Sequence, residues 1–249
     1  MMSIFILAVL LSVAVAVPVL PVQAKVPDED DIVDRIMDSQ SEYYYPNLMM
    51  RYRNGDTTFT EEHYHYLYYG FAYDENYRPL DADHALDRFF ALVGQLNVDA
   101  PDADLLRTLI VTGGEVMQRD PFSPKVLNIM AYAYGALGDT LNEKVYYNHL
   151  TNILSTIASS GEGTSDKSPR HVLMYSHARD LLSSQGLEFR TSKLISRSVE
   201  YIPLEKPDGK VKGYYFDYSR IYRQKPENTE YHRPRTWQFN NLKPRKYRN

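Results

Sequence analysis

The chain contains no cysteine. That absence removes disulfides, thiolate metal sites and cysteine nucleophiles together. Burial of apolar surface is then what must hold the fold. The demand is sharper because the N-terminus reads as an export signal. Ile4 to Val17 is uncharged and apolar, and Val22-Gln23-Ala24 ends the segment with small side chains at the third-last and last positions, as a cleavage site requires. Pro18 and Pro21 interrupt the run, whereas a membrane-spanning helix needs ~20 apolar residues. The expectation is that residues 1–24 are a signal peptide removed before Lys25. The mature protein is then periplasmic or secreted, with no transmembrane span. It carries no lipid, because a lipoprotein needs a cysteine at the cleavage point.

Charge is distributed unevenly. From Arg220 to the end the chain carries nine Lys and Arg against Glu227 and Glu230, a net +7, so the overall −4 leaves −11 on residues 1–219. An acidic body argues against nucleic acid as a ligand. The basic tail, residues 223–249, is interleaved with Tyr231, Trp237, Phe239 and Tyr247, which points to a contact with the acidic body or an anionic partner.

Periodicity predicts a mostly helical body over residues 25–160. Asp28 to Asp31 suit a helix start, and Ile32, Val33, Ile36 and Met37 recur at helical spacing. Tyr45-Pro46 opens a second helix, and Thr60 caps a third from Glu61 to about Phe71. Asp81 and Asp83 are candidate caps for a fourth, whose core face is Leu86, Phe89, Phe90 and Val93. Pro101 opens a fifth, buried through Leu105, Leu106, Leu109, Ile110 and Val116; Gly113-Gly114 kinks it or admits a close neighbour. Ser123-Pro124 starts a sixth, and a returning helix carries Tyr146, Leu150, Ile153, Leu154 and Ile157. This last pair resembles a tetratricopeptide unit, with Ala131 at the small packing position and Gly138-Asp139 as the turn, although Glu143 stands where that repeat has a small residue. Stacked antiparallel helices follow, since one such unit cannot bury its faces alone.

Ser159 to Pro169 reads as a polar, flexible connector. Beyond it, residues 161–222 read as a small module: a strand at His171–Tyr175, a helix at Ala178–Gln185 ended by Gly186, one or two strands within Leu187–Leu204, and a strand at Val211–Tyr218 after the turn Pro207-Asp208-Gly209. The fold class is thus α+β, mostly α, with a β-α-β-β module at its C-terminal end.

Several stretches carry a family resemblance: Tyr43-Tyr44-Tyr45-Pro46, Gly55-Asp56-Thr57-Thr58, Leu67-Tyr68-Tyr69-Gly70 with Tyr77 and Pro79, Ser160-Gly161-Glu162-Gly163-Thr164-Ser165, His171-Val172, and Gly213-Tyr214-Tyr215-Phe216-Asp217. In order and spacing they resemble domain of unknown function family 4919, exported proteins found mainly in gut Bacteroidetes. The resemblance spans roughly Ser39 to Tyr218. It implies an envelope or secreted location and a helical-repeat-like body, and it carries no catalytic residue. The basic extension departs from the pattern.

No residue stands out as catalytic, cofactor-binding or metal-ligating. Glu61 and His65 have the i, i+4 spacing of a metal pair, but His84 is the only further histidine nearby and a zinc site needs a third ligand; packing among tyrosines explains His63 and His65 better. Gly161-Glu162-Gly163-Thr164-Ser165 lacks the Gly-Lys-Ser/Thr of a phosphate loop. Ser165, Asp166, Ser168 and His171 lack the strand-elbow-helix setting of a nucleophile. Asp81, Asp83, Asp87, Asp99, Asp102 and Asp104 fit helix caps better than a calcium loop.

The 22 tyrosines are the anomaly. A tyrosine at helical spacing is first a packing residue, yet its ring and polar tip also suit sugars and peptides. Tyr43, Tyr44, Tyr64, Tyr66, Tyr68, Tyr69 and Trp237 are therefore the candidate ligand contacts. The leading expectation is a non-catalytic envelope module that binds a protein or polysaccharide. The alternatives are a glycan or peptide hydrolase using carboxylates such as Asp74 and Glu75, and a structural subunit of an envelope complex.

Overall fold

A computed structural model of the protein describes residues 24–222. The expected signal peptide up to residue 23 and the basic tail with Trp237 lie outside the described residues. Among those residues the fold is α+β, with eight α-helices and one four-stranded mixed sheet.

Local chemistry sets the helix starts. α1 (Glu29–Met37) begins where the Asp28 carboxylate accepts from the amides of Asp30 and Asp31. α2 (Tyr45–Arg53) has proline in its first turn. α3 (Glu61–Gly70) opens with a capping box in which Thr60 accepts from the His63 amide and His63 reaches back to the Thr60 amide. A 3₁₀ turn, Phe71–Tyr73, ends it. Asp83, Asp102, Ser123 and Asp139 cap α4 (His84–Val93), α5 (Ala103–Val116), α6 (Pro124–Ala136) and α7 (Thr140–Ser159) through side-chain oxygens.

Packing follows from which faces these caps leave apolar. α3 lies between α1, α2 and α7, while α5 packs on α4 and α6, and α6 runs along α7. Two clusters result. The larger runs from Ile32 to Ile221 and takes in α1, α2, α3, α7, α8 (Tyr175–Ser184) and the sheet. The smaller, Phe89, Leu109, Val116, Val126 and Met130, sits between α4, α5 and α6. Of the face expected for α4 only Phe89 is fully buried; Leu86, Phe90 and Val93 lie at the rim. Likewise Leu105 and Ile110 are half-buried on α5. Gly113 admits a close neighbour: a β-carbon there would collide with the Met130 sulfur.

The sheet order is β1-β4-β3-β2, from β1 (Arg170–His171), β2 (Lys193–Leu194), β3 (Val199–Asp208) and β4 (Val211–Asp217). β1 pairs parallel to β4, and the other neighbours are antiparallel. Three expectations need correction. The first strand stops at His171, because Tyr175 already starts α8. A β-α-β-β order does not describe the module, since the two-residue β2 adds a third strand after the helix. The Ser159–Pro169 segment is no loose connector. The Tyr215 amide donates to Gly163 O at 2.7 Å and the Gly163 amide to Ser168 O at 2.8 Å. A β-carbon at Gly161 would run into the Pro169 carbonyl.

The buried set yields a stability test. Leu127, Met130 and Ile153 are fully buried, but Leu154 only borders the core. Ile153→Ala should cost about 2–5 kcal/mol in urea unfolding, and Leu154→Ala clearly less. Equal losses at both positions would mean that α7 presents a different face.

Candidate functional site

The tyrosines of α3 face inward. Tyr64, Tyr68 and Tyr69 are 0% exposed and Tyr66 is 4% exposed. As candidate ligand contacts these four are corrected: their rings are core and their hydroxyls are engaged within the protein. Each reaches a different element. Tyr64 donates to Asn148 Oδ1 at 3.1 Å on α7, and His149 Nδ1 lies 2.8 Å from the same hydroxyl. Tyr66 donates to Asp31 Oδ2 at 2.7 Å on α1. Tyr69 donates to the His171 carbonyl at 3.1 Å on β1.

Tyr68 belongs to a chain of polar contacts that joins three segments. Asp120 Oδ2 lies 3.0 Å from His177 Nε2, and His177 Nδ1 lies 2.8 Å from the Tyr68 hydroxyl. An ionised carboxylate only accepts, so Nε2 carries a proton, and in the neutral ring Nδ1 then accepts from the Tyr68 hydroxyl. The Tyr68 oxygen in turn accepts from the Leu173 amide at 3.2 Å. The order Tyr-His-Asp resembles a catalytic relay, but Tyr68 and His177 are both fully buried. Burial also pushes the Tyr68 hydroxyl pKa well above its ordinary value, so it stays protonated. This chain is a polar strut between α3, α8 and the turn before α6.

Tyr43 and Tyr44 are half-buried. Tyr44 caps α2 with its backbone alone. Tyr43 sits at an open groove of about 560 Å³ lined by Asp31, Asp34, Arg35, Asp38, Ser41, Glu42 and Tyr43. Its ring lies 4.3 Å from that of Tyr66, and the Arg35 guanidinium lies 5.8 Å and 5.7 Å from the two ring centres. Arg35 Nε also donates to Asp31 Oδ1 at 3.0 Å. The Tyr66 hydroxyl and then Arg35 hold the Asp31 carboxyl below its usual range. Burial raises Tyr43 to about 12. With Arg35 paired to Asp31, three carboxylates, Asp34, Asp38 and Glu42, stay exposed along the rim.

A second, more enclosed cavity of about 160 Å³ lies between α3, α7 and the N-terminal segment. Lys25, Glu61, His65, Asn152, Ser155, Thr156 and Ser159 line it. Glu61 and His65 thus share one wall, as their spacing implies. His63 points elsewhere, stacking on Phe59 at 5.3 Å and closing the α3 cap. His84 is exposed beside Asp87 at 3.8 Å. Among the described residues no group of three or more His, Asp or Glu is placed to hold a metal ion.

The remaining sequence candidates are local formers of structure. Asp74 Oδ1 accepts from the Asn76 amide at 2.8 Å and Asn76 Nδ2 at 2.9 Å, and Glu75 is exposed. The Ser168 hydroxyl accepts from the Glu162 amide at 3.1 Å, and the His171 amide donates to the Ser160 hydroxyl at 2.8 Å. Sequence reasoning missed Asp34, Arg35, Asp38 and Glu42. The i, i+4 spacings of Asp31 with Arg35 and of Asp34 with Asp38 were the available signal. It also missed His149, His177 and Asp120, whose partners are far along the chain.

A family model described as a domain of unknown function, DUF4919, matches residues 30–227, and the chain belongs to that family. No curated protein and no solved structure gives a match.

Burial sets an acid-side limit on stability. It pushes His65, His149 and His171 down to about 4, from an ordinary value near 6.5. Between pH 6.5 and 4 the unfolded chain therefore binds more protons than the folded one, and stability falls as pH falls through that window. His149 Nε2 has no partner, so protonating it strands a buried charge. Urea midpoints measured at pH 7 and pH 4.5 should drop for the native chain. His149→Phe keeps the ring against Tyr52, 4.1 Å away, and should show a smaller drop. An identical drop would remove His149 from the account.

Proposed function

We propose that the protein is exported, loses residues 1–24, carries no lipid, and acts in the cell envelope as a non-catalytic module that binds a protein or polysaccharide partner. The observation that carries this reading is the Tyr43–Arg35 groove. It offers an aromatic platform, a cation fixed over two rings, and exposed carboxylates along one rim. An aromatic ring with a stacked arginine suits a sugar face or a peptide side chain. The uncompensated charge of Asp34, Asp38 and Glu42 favours a basic protein segment over an acidic polymer. Among the described residues no helix is long and apolar enough to cross a membrane.

Support for a tetratricopeptide-like reading comes from α6 and α7. Ala131 is buried at the small packing position. Gly135 lies against the Glu143 side chain, so a glycine on one helix makes room where the repeat has its small residue on the other.

The test is association with native envelope fractions at low and high salt, with the captured partner identified by mass spectrometry. Replacing Asp34, Asp38 and Glu42 together by Asn, Asn and Gln should weaken a salt-sensitive association about tenfold and leave the melting temperature unchanged. Tyr43→Ala should weaken it at every salt concentration. An association indifferent to both changes would move the partner to another face.

A further inference from the structure

The enclosed cavity beside α3 presents two groups able to receive the N–H of a cation. His65 is 5% exposed, lines the cavity, and makes ring contacts to Tyr66 and Tyr69 without a hydrogen bond. Its ring nitrogens are not sealed within the core, so they open onto the cavity that His65 lines. Glu61, one turn earlier on the same wall, is exposed and has no ion pair among the described residues, so its carboxylate is free to take one. The neighbouring acid is already occupied, since Glu62 pairs with Lys25 Nζ at 3.1 Å.

The opposite wall is the last two turns of α7, which contribute Asn152, Ser155, Thr156 and Ser159. The final carbonyls of a helix lack intrahelical donors and lie at the negative end of its dipole. One of them is already used by the N-terminal segment: the Lys25 backbone nitrogen donates to the Ser159 carbonyl at 2.8 Å. That segment is held at a second point. Arg220, 4% exposed, donates to the Pro27 carbonyl at 3.1 Å and lies 3.9 Å from Glu29. Lys25 is therefore fixed in place.

We infer that this cavity is a binding niche for a primary ammonium group, and that its occupant is the chain's own α-amino group, created when the chain is cut before Lys25. The inference rests on the processing proposed above. In the uncut chain the nitrogen at Lys25 is an amide with one N–H, which Ser159 takes. After cleavage it is an ammonium with three. One N–H keeps the Ser159 carbonyl, and the added charge lies between the C-terminal end of α7 and a wall bearing the unpaired Glu61 and the neutral His65. The charged groups that act on His65 in the same wall are the Lys25 side chain, Glu62, Asp31 and Arg220. Cleavage thereby supplies a cation where the fold has arranged acceptors, and ties the start of the chain to α7.

The sign of the pH dependence follows. An α-amino group has an ordinary pKa of about 7.7–8.0. Acceptors raise that value in the folded state. The stabilisation is full below about pH 8 and disappears as pH rises through the folded value.

Two forms test this. One begins at Lys25 with a free amine, released from a fusion by a protease that leaves no extra residue. The other is the same chain acetylated at that nitrogen. At pH 7 the free form should melt about 2–4 °C higher, and the gap should close by about pH 10. Glu61→Gln should shrink the gap without abolishing folding, because Glu61 has no structural partner to lose. The free amine should also react slowly with an amine-directed acylating reagent when compared with the unfolded chain. Equal melting temperatures, or a gap that does not change with pH, would overturn the niche. So would protection of the acetylated form by millimolar methylammonium without any gap, which would make the occupant an external amine. Mass spectrometry of native material reads the processing separately: a start other than Lys25 sinks the cleavage reading, while the engineered pair still reports on the niche.

Discussion

The fold depends on α3. Its four inward tyrosines are fully or nearly fully buried, and their hydroxyls go to α7, α1, β1 and the α8–Leu173 region in turn. Residues one or two apart on a helix address different sides, so a helix buried all round beyond its first turn can tie together everything packed on it. The arrangement answers the absence of cysteine. A tyrosine buries a large ring and still directs one hydrogen bond, giving a chain without disulfides directional links between distant segments. Leaving any of these polar ends unpaired would cost about 1–3 kcal/mol, so the network fixes which neighbours α3 accepts.

Placement of the groove and the cavity follows from that hub. Tyr66 fixes Asp31, Asp31 fixes Arg35, and Arg35 lies across Tyr43 and Tyr66. The groove floor is thus an extension of the core rather than a loop feature. On the other flank His65 and Glu61 meet the end of α7 and the N-terminal segment. The same helix supplies buried struts at 64, 66, 68 and 69 and surface chemistry at 61 and 62.

Much of the helical body was legible in the sequence because its signals are local. Thr60, Asp83, Ser123-Pro124 and Gly138-Asp139 mark ends within a few residues of where the helices start and stop. The core faces were legible where the apolar stripe is narrow, as at Leu127, Met130 and Ile153. α3 was harder. Its run of Glu61-Glu62-His63-Tyr64-His65-Tyr66-Leu67-Tyr68-Tyr69 has no polar face, so periodicity could not say whether the tyrosines look in or out. Long-range pairing decided it, through partners such as His149, His171 and His177, 80 to 110 positions away. The two-residue β2 was equally invisible, because a strand that short carries no alternation to read. Gly161 and Gly163 read as looseness, although close approach to Pro169 and Arg170 was the reason for glycine.

The account stands on the tyrosines being internal struts, and Tyr68 is the most exacting case. Its hydroxyl is the partner of both His177 Nδ1 and the Leu173 amide, and a phenylalanine fills the same space without it. Equilibrium urea unfolding of Tyr68→Phe beside Tyr44→Phe, whose ring is half-buried and whose helix cap is backbone only, measures this directly. The account predicts a loss of about 1–3 kcal/mol for Tyr68→Phe, with faster hydrogen exchange at the Leu173 amide, and less than about 0.5 kcal/mol for Tyr44→Phe. Undiminished stability and unchanged Leu173 exchange in Tyr68→Phe would contradict it.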